Sequence, residues 1–447
     1  MSESRPQTLG ELKASGYESK HIKDELRDNL IEKLKKKEPV FEGVLGYEKT
    51  VFPEVERAIL SRHNINFLGL RGQAKTRMAR QLVHLLDEYI PSVEGSSIHD
   101  DPLNPISRYA RDLIASKGND TPIEWIHRDE RYTEKLATPD VTVADLIGDV
   151  DPIKAANLKL DYADERVIHF GLIPRSHRGI FVVNELPDLQ PRIQVALFNI
   201  LQEGDIQIRG FKLRLPLDVM FVFTANPEDY TNRGAIITPL KDRIQSQILT
   251  HYPKNIDISA SITKQEAQLS EVQYDSVEVP SLVAQIIEQL AVEARNSEYV
   301  DQKSGVSTRL TISAYENLVS AVERRLLIND EKKGRARVGD LLGILPSITG
   351  KVELVYEGEQ EGAKNVAFNL MGKAIRTLFA QYFPDPEMLK RRKDESNPYE
   401  RIIGWFSKND LELEADISEK EYRKKLDEVP NLEKRVKKYS PKIQREE

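Results

Sequence analysis

A short apolar strand, a glycine-containing loop and a helix follow one another along the chain, and this succession constrains the fold more than any other feature. The apolar run Ile65–Leu68 predicts a buried strand. A helix is predicted over Thr76–Tyr89, because apolar residues recur there on one helical face. The loop between them has the sequence Gly69-Leu70-Arg71-Gly72-Gln73-Ala74-Lys75-Thr76. Its spacing matches the phosphate-binding pattern of Gly, four residues, Gly and Lys-Ser/Thr, with Ala74 in place of the second Gly.

The loop residues suit the phosphates of a nucleotide. Backbone N–H groups at the start of the helix can turn toward phosphate oxygens, and the positive end of the helix favours their charge. Lys75 is predicted to reach the β- and γ-phosphates, and the Thr76 hydroxyl is predicted to bind Mg²⁺. The alternative is a turn with a surface Lys, which the flanking strand and helix disfavour. The residues predicted to bind the nucleotide here are Gly69, Gly72, Gln73, Ala74, Lys75 and Thr76.

Polar residues follow two further apolar strands. Asn184-Glu185 comes directly after Ile180–Val183, and Asn226 follows the strand predicted over Val219–Phe223. Ligands bind at the carboxyl ends of neighbouring parallel strands, so these residues are expected beside the loop. We expect Glu185 to polarise the attacking water and Asn226 to orient it. The alternatives are a strand-end cap for Glu185 and an Asn-Pro turn at Asn226.

Asn184 occupies the position where a nucleotide hydrolase usually has an Asp that supports the metal. Its carbonyl oxygen can accept a hydrogen bond from metal-bound water, so Asn184 joins Thr76 as a predicted metal-site residue. The amide lacks the negative charge of Asp. Metal affinity or turnover is therefore expected to be lower than with Asp.

The spacing of apolar residues divides the rest of the chain into predicted domains. Apolar runs and amphipathic stretches alternate from Phe41 to Pro253, which predicts an α/β domain with a mostly parallel sheet. A polar insertion at 91–135 and a hairpin predicted over Ile206–Leu215 interrupt this alternation. Amphipathic helices are predicted over Ser281–Arg295 and Thr311–Ile328. The predicted domains are an N-terminal helical segment at 1–40, an α/β core at 41–253, a helical domain at 254–350 and a helical, charged extension at 351–447.

Composition excludes several classes of function. The 447 residues contain no Cys, which excludes disulfides, thiol catalysis and Cys-ligated metal sites and fits a reducing compartment. The net charge of -7 disfavours nucleic acid as the main partner. The polar N-terminus predicts no secretory signal, and no apolar stretch reaches about 18 residues, which predicts no membrane span. We expect a cytoplasmic protein.

The motifs, in this order, resemble those of the AAA+ ATPases. The similarity is greatest to the branch with an insertion in helix 2, which holds the MoxR ATPases and the ATPase subunit of magnesium chelatase. Arg71 stands where that branch usually has Pro, whereas Ala before Lys is normal in the MoxR loop. The other segments that carry the resemblance are Phe41-Glu42-Gly43-Val44-Leu45-Gly46-Tyr47-Glu48, Thr138-Pro139-Asp140, Asp145-Leu146-Ile147-Gly148 and the hairpin. The resemblance covers roughly residues 41–350 and implies an AAA+ core with a helical lid that binds ATP and Mg²⁺.

The resemblance also implies roles for individual residues. Gly46 and Tyr47 would border the adenine, and Asn226 would act as sensor 1. Arg243 matches the arginine finger that completes the site of a neighbouring subunit, and Arg309 matches the sensor-2 arginine of the lid. An arginine supplied by a neighbour links hydrolysis to assembly into a ring, which the resemblance implies is a hexamer.

The function implied is an ATP-driven ring that remodels a protein client, with an integrin-type (von Willebrand A-like) domain protein as a possible partner. One alternative is a nucleotide-binding scaffold that hydrolyses ATP weakly or not at all, because Asn184 replaces Asp. Another alternative is the motor subunit of a metal chelatase.

Overall fold

The computed structural model describes residues 5–160, 164–207, 214–227, 235–386 and 397–439, and omits the side chains of Leu158, Asn199, Gln207 and Arg214. The chain divides into two units, Met1–His251 and Tyr252–Glu447. The division lies two residues before the predicted boundary at 253. The turn of the hairpin, at Arg209-Gly210, lies outside the described residues.

Five parallel strands form the central sheet of the first unit. They are β1 (Ile65–Leu68), β2 (Tyr132–Leu136), β3 (Gly179–Asn184), β4 (Val219–Ala225) and β5 (Ser246–Leu249). The strands lie in the order β5-β1-β4-β3-β2, and all neighbouring pairs are parallel. Every residue of β3 and β4 is buried, as expected for interior strands of a parallel sheet. The predicted α/β fold class, a phosphate-loop core with a parallel sheet followed by a helical domain, is confirmed.

Strand β2 was not predicted, and it begins within the polar insertion predicted at 91–135. Four of the five residues of Tyr132–Leu136 are half-buried and Leu136 is exposed, since β2 is an edge strand. An edge strand tolerates polar residues, so no run of apolar residues marks it in the sequence. Arg131, directly before β2, is buried and donates to both carboxylate oxygens of Glu25 at 2.7 and 2.6 Å, which anchors the start of the strand.

Alternate residues of β3 and β4 build two different cores, one on each face of the sheet. Phe181 and Phe223 pack on the face covered by the helix Pro191–Glu203. Val182 and Val222 pack on the opposite face, with residues of the helix Ile22–Lys36. The predicted N-terminal segment therefore contributes to the core of the first unit.

The remaining elements of the first unit surround this sheet. Its helices are Leu9–Ala14, Ile22–Lys36, Val51–Leu60, Lys75–Gln81, Arg108–Lys117, Val143–Leu146, Pro152–Leu158, Leu172–Arg175, Pro191–Glu203 and Thr238–Arg243. Antiparallel pairs are formed by Tyr89–Val93 with Ile123–His127, Gly148–Val150 with Ile168–Phe170, and Asp205–Gln207 with Arg214–Pro216. The last pair contains the two strands of the predicted hairpin. The helix predicted over Thr76–Tyr89 is shorter, because a 3₁₀ turn, Leu82–Leu85, replaces its second half.

Where the structure describes it, the second unit is helical apart from a short parallel pair, Val277–Glu278 with Gly334–Arg335. Its helices are Ile256–Glu266, Glu271–Ser276, Ser281–Arg295, Arg309–Ile328, Leu345–Thr349, Tyr356–Glu361, Ala363–Tyr382, Glu400–Phe406, Glu419–Asp427 and Leu432–Tyr439. Leu370 and Leu378 are buried in the same core as Ile287 and Leu318, so the core continues past the predicted boundary at 350. Among the helices that the structure describes, none combines the length and the apolar character needed to cross a membrane.

His177 makes the stability of the first unit depend on pH. Its Nδ1 accepts a hydrogen bond from the backbone N–H of Asp218 at 3.0 Å, and burial, with the charge of Arg178, lowers the pKa of His177 to about 3. The folded protein therefore holds the His177 imidazole in its neutral form. The stability that buried, neutral His177 contributes is fully present above its pKa in the unfolded chain, about 6.5. This stability is lost as the pH falls toward its pKa in the folded protein.

We expect the free energy of unfolding to fall by about 2 kcal/mol between pH 6.5 and pH 5 through this group alone. Urea unfolding at the two pH values would measure the fall. His177→Asn keeps an acceptor and removes the titration, so it should show a fall smaller by that amount. Equal falls in the two proteins would contradict the prediction.

Candidate functional site

The site residues predicted in the loop and at the strand ends meet at one edge of the sheet. Leu68 of β1 is the register partner of Ala225 of β4, and Val183 of β3 pairs with Phe223 of β4. The three strands are neighbours and run in the same direction, so their carboxyl ends lie side by side. The phosphate-binding loop, Asn226 and Asn184-Glu185 follow directly from these ends, where parallel sheets bind ligands.

The loop has the backbone that its sequence requires. Gly72 has a φ of 74°, and Ala74 has a φ of 54° in the left-handed region, directly before the helix that begins at Lys75. A left-handed conformation costs a residue with a Cβ about 1–2 kcal/mol, and Ala is the smallest such residue. A Cβ at Gly69 would overlap Thr250 Oγ1 and Gln73 Oε1. Gly69 is therefore required by close packing.

Lys75 lies at the centre of this edge. Its Nζ donates to the backbone oxygens of Gly69 and Leu70, the latter at 2.8 Å, and to Asn226 Oδ1 at 2.8 Å. Asn226 is buried, with 6% of its surface exposed. The ammonium group is thus held between the loop and the end of β4, and the structure brings together two of the predicted catalytic residues.

A second set of contacts joins the start of the helix to the end of β3. Asn184 Oδ1 accepts hydrogen bonds from the hydroxyls of Thr76, at 3.4 Å, and of Thr224, at 3.1 Å. Asn184 Nδ2 donates to Glu134 Oε1 of β2 at 2.6 Å. The two predicted metal-site residues, Thr76 and Asn184, are therefore in direct contact.

Glu134 is a residue of this cluster that sequence reasoning missed. Its carboxylate also accepts from Arg80 Nε at 2.8 Å, Arg80 Nη2 at 3.0 Å and the Tyr132 hydroxyl at 3.1 Å. Burial alone would raise the pKa of Glu134, but the hydrogen bonds from Arg80, Tyr132 and Asn184 and the Arg80 charge outweigh burial and lower it. Glu134 is thus ionised at neutral pH. Only the placement of Tyr132–Leu136 in the sheet, which the sequence did not predict, could have indicated it.

Glu185 lies where β3 ends. Its backbone N–H donates to Thr224 Oγ1 at 3.1 Å, and its φ of 56° is left-handed. This conformation turns the chain sharply away from the strand direction at the edge where the loop lies. Non-Gly residues held in this region often occur at functional sites.

Tyr47, next to Gly46, contacts the loop at Gln73. The Tyr47 hydroxyl oxygen lies 3.1 Å from the backbone oxygen of Gln73 and 2.7 Å from that of His251. Gln73 Oε1 accepts from the Thr250 hydroxyl at 2.6 Å, and Gly46 has a φ of 87°. The Tyr47 ring is buried, and its hydroxyl group makes the contact with the loop.

The two predicted arginines belong to other helices, Thr238–Arg243 and Arg309–Ile328. Arg243 donates to Gln202 Oε1 at 3.0 and 2.7 Å and to the backbone oxygen of Pro239, and its guanidinium lies 5.0 Å from the Phe198 ring centroid. These contacts are with the helix Pro191–Glu203 and with its own helix. Arg309 belongs to the second unit, where it begins the helix Arg309–Ile328.

The residues at the edge of the sheet fit a Mg²⁺ ion bound together with nucleotide phosphates. Thr76 Oγ1 and Asn184 Oδ1 are oxygen ligands of the kind that Mg²⁺ prefers, and the Glu134 carboxylate beside them supplies negative charge. Within the described ranges, no group of three or more His, Cys, Asp or Glu residues could hold a metal by itself. Mg²⁺ that binds through one or two protein groups and the phosphates does not need such a group.

Comparison with known proteins shows a similarity in sequence. No protein-family model matches this chain. The chain is similar to the magnesium-chelatase 38 kDa subunit of Cereibacter sphaeroides. The identity is 26% over 206 residues, 44% of this chain and 54% of the relative, so the match spans about half the length of that protein. The resemblance to the magnesium chelatase subunit that the motifs indicated is thereby confirmed.

Matches to solved structures are also found. A putative ATPase from Cytophaga hutchinsonii is 16% identical, with 81% of this chain and 98% of that chain covered and a TM-score of 0.32. NtrX from Brucella abortus is 15% identical, with 69% and 58% covered and a TM-score of 0.39.

Proposed function

We propose that this protein is a Mg²⁺-dependent ATPase of the AAA+ type. The observation that carries the proposal is the convergence of Lys75, Asn226, Thr76 and Asn184 at the carboxyl edge of a parallel sheet, behind a loop with phosphate-binding spacing. The similarity to a magnesium chelatase subunit supports the same conclusion. A surface turn with an incidental Lys would not hold that Lys against a buried Asn.

Each residue has a defined task in this proposal. Lys75 exchanges its backbone partners for phosphate oxygens, and the loop N–H groups bind the same phosphates. Mg²⁺ bound at Thr76 and Asn184 would neutralise part of the phosphate charge. Asn226 orients the attacking water, and Glu185 accepts its proton while the bond from the γ-phosphorus to the leaving oxygen breaks.

The assembly is part of the proposal. Arg243 completes the site of a neighbouring subunit, which favours a closed ring, and by resemblance a hexamer. Arg309 serves as the sensor-2 arginine of the helical unit. The ring remodels a protein client in the cytoplasm, with an integrin-type domain protein as the proposed partner. Affinity capture from the source cell with the Glu185→Gln variant, which retains ATP, would identify these proteins.

The motor of a metal chelatase is a second candidate, which the similarity to the magnesium-chelatase 38 kDa subunit favours. A motor acts on partner subunits that carry out the metal insertion. Recovery of a chelatase-type catalytic subunit in the affinity capture would support it. Recovery of clients without such a subunit would favour the remodelling function.

ATP binding and turnover by Lys75→Ala test the proposal. Loss of a charge-assisted contact with phosphate should weaken ATP binding about tenfold to a hundredfold and reduce phosphate release accordingly. Titration with a fluorescent ATP analogue and a phosphate-release assay measure the two effects. Lys13→Ala, at an exposed position, is the matched control. Wild-type turnover no higher than that of Lys75→Ala would disprove the proposal.

A further inference from the structure

Glu134 and Asn184 form a pair across neighbouring strands, and the pair faces the start of the phosphate-loop helix. We propose that Glu134 is a positioning residue, which supplies the negative charge that Asn184 lacks and orients the Asn184 amide so that its oxygen faces Thr76. This inference rests on the proposed function of the site. It extends that function by naming the residue that makes Asn, in place of Asp, suitable for the metal.

The chemistry of the two groups decides the orientation of the amide. An ionised carboxylate only accepts hydrogen bonds, so the Asn184 atom 2.6 Å from Glu134 Oε1 must be the NH₂ group. The Asn184 oxygen then faces the hydroxyls of Thr76 and Thr224. Without Glu134 the Asn184 amide could turn over and point its NH₂ group toward Thr76. The N–H donors would then repel a cation bound there.

The backbone places the two side chains on one face of the sheet. Leu136 of β2 is the register partner of Asn184, and Glu134 lies two residues earlier, so Glu134 and Leu136 point to the same side. Arg80 donates two hydrogen bonds to the Glu134 carboxylate. Arg80 lies one helical turn after Thr76, on the same face of the helix that begins at the loop. The Glu134 network therefore links the loop helix, β2 and β3.

This arrangement accepts an amide at position 184 and rejects a carboxylate. Asp in place of Asn184 would put an oxygen 2.6 Å from Glu134 Oε1, where the NH₂ group now donates. Two carboxylates at this distance cannot both stay ionised without a cation between them. Asn184→Asp alone should therefore weaken the site, although this change restores the residue usual in nucleotide hydrolases. Asp at position 184 should support metal binding only when Glu134 is replaced by the neutral Gln.

The test compares wild type with Glu134→Gln, Asn184→Asp and the double variant. The probe is Mg²⁺, titrated into protein with a saturating fluorescent ATP analogue. Groups that support a metal ligand typically affect metal affinity tenfold to a hundredfold. We expect each single variant to need about tenfold more Mg²⁺ for half-saturation, and the double variant to return to within about threefold of wild type. Glu54→Gln, an exposed carboxylate on the helix Val51–Leu60, is the control and should match wild type.

Urea unfolding of the same four proteins without nucleotide separates this inference from the proposed function. The single variants should be less stable than wild type, and the double variant should recover most of the loss. If wild type binds nucleotide but the single effects add in the double variant, the role of Glu134 is disproved and the proposed function stands. If wild type binds no nucleotide, the proposed function fails, and additive effects on unfolding would then also overturn the pairing.

Discussion

Glu185→Gln should abolish ATP turnover and leave ATP binding intact. Gln has the shape of Glu and can take the same left-handed backbone, with a φ of 56°, at the end of β3. It cannot accept a proton at neutral pH. General base catalysis contributes about a hundredfold to ten-thousandfold to rate, so a loss of at least about a hundredfold in kcat is expected. Phosphate release under saturating ATP, together with the affinity for a fluorescent ATP analogue, measures the two properties separately.

The matched control for Glu185→Gln is Glu203→Gln. Glu203 is exposed at the end of the helix Pro191–Glu203 and lies outside the cluster around Lys75. It should retain the kcat of wild type. If Glu185→Gln kept more than about a third of wild-type kcat, Glu185 would not be the base, and its place at the strand end would be structural.

Arg243→Ala should reduce ATP turnover by about a thousandfold or more, because an arginine supplied by a neighbour contributes 10³- to 10⁵-fold to the rate of phosphoryl transfer. The affinity of each subunit for ATP should change little. In this chain Arg243 contacts Gln202 and Phe198 of the helix Pro191–Glu203 and is absent from the Lys75 cluster. The residue is therefore expected to act on another subunit and not on its own.

Mixing variants tests this action between subunits. Arg243→Ala lacks the arginine but keeps its own site, whereas Lys75→Ala lacks a working site but keeps the arginine. Mixed rings contain contacts at which both are intact, so the mixture should turn over ATP well above the sum of the two separate activities. Lys241→Ala, on the same helix, is the control for a lost cation. A mixture no more active than that sum would contradict an arginine finger at Arg243.

Regular elements with strong periodicity could be predicted from the sequence. The helices Pro191–Glu203 and Ser281–Arg295 have the predicted bounds, because their apolar residues recur at helical spacing and each ends where that pattern ends. Strand β2 could not be predicted. Three of its five residues are Thr133, Glu134 and Lys135, and only its pairing with β3 makes it a strand. The helix after the loop is shorter than its apolar pattern, since a 3₁₀ turn leads into the strand Tyr89–Val93.

The roles assigned to Gly46, Arg243 and Arg309 stay predictions, since they rest on the resemblance. The roles of Lys75, Thr76, Asn184 and Asn226 also stay predictions. Their hydrogen bonds place them in one cluster, which supports the tasks proposed for them.

The sequence by itself determined the phosphate-binding loop, because the order of strand, loop and helix is local and each residue type has a conformational reason to be there. It also determined the residues at the ends of β3 and β4, since they follow apolar strands directly. Only the tertiary structure decided what surrounds Asn184. Glu134 is 50 positions earlier in the chain than Asn184 and reaches it through the pairing of β2 with β3. Such a contact depends on which strands are neighbours, and sheet order is set by the packing of the whole unit.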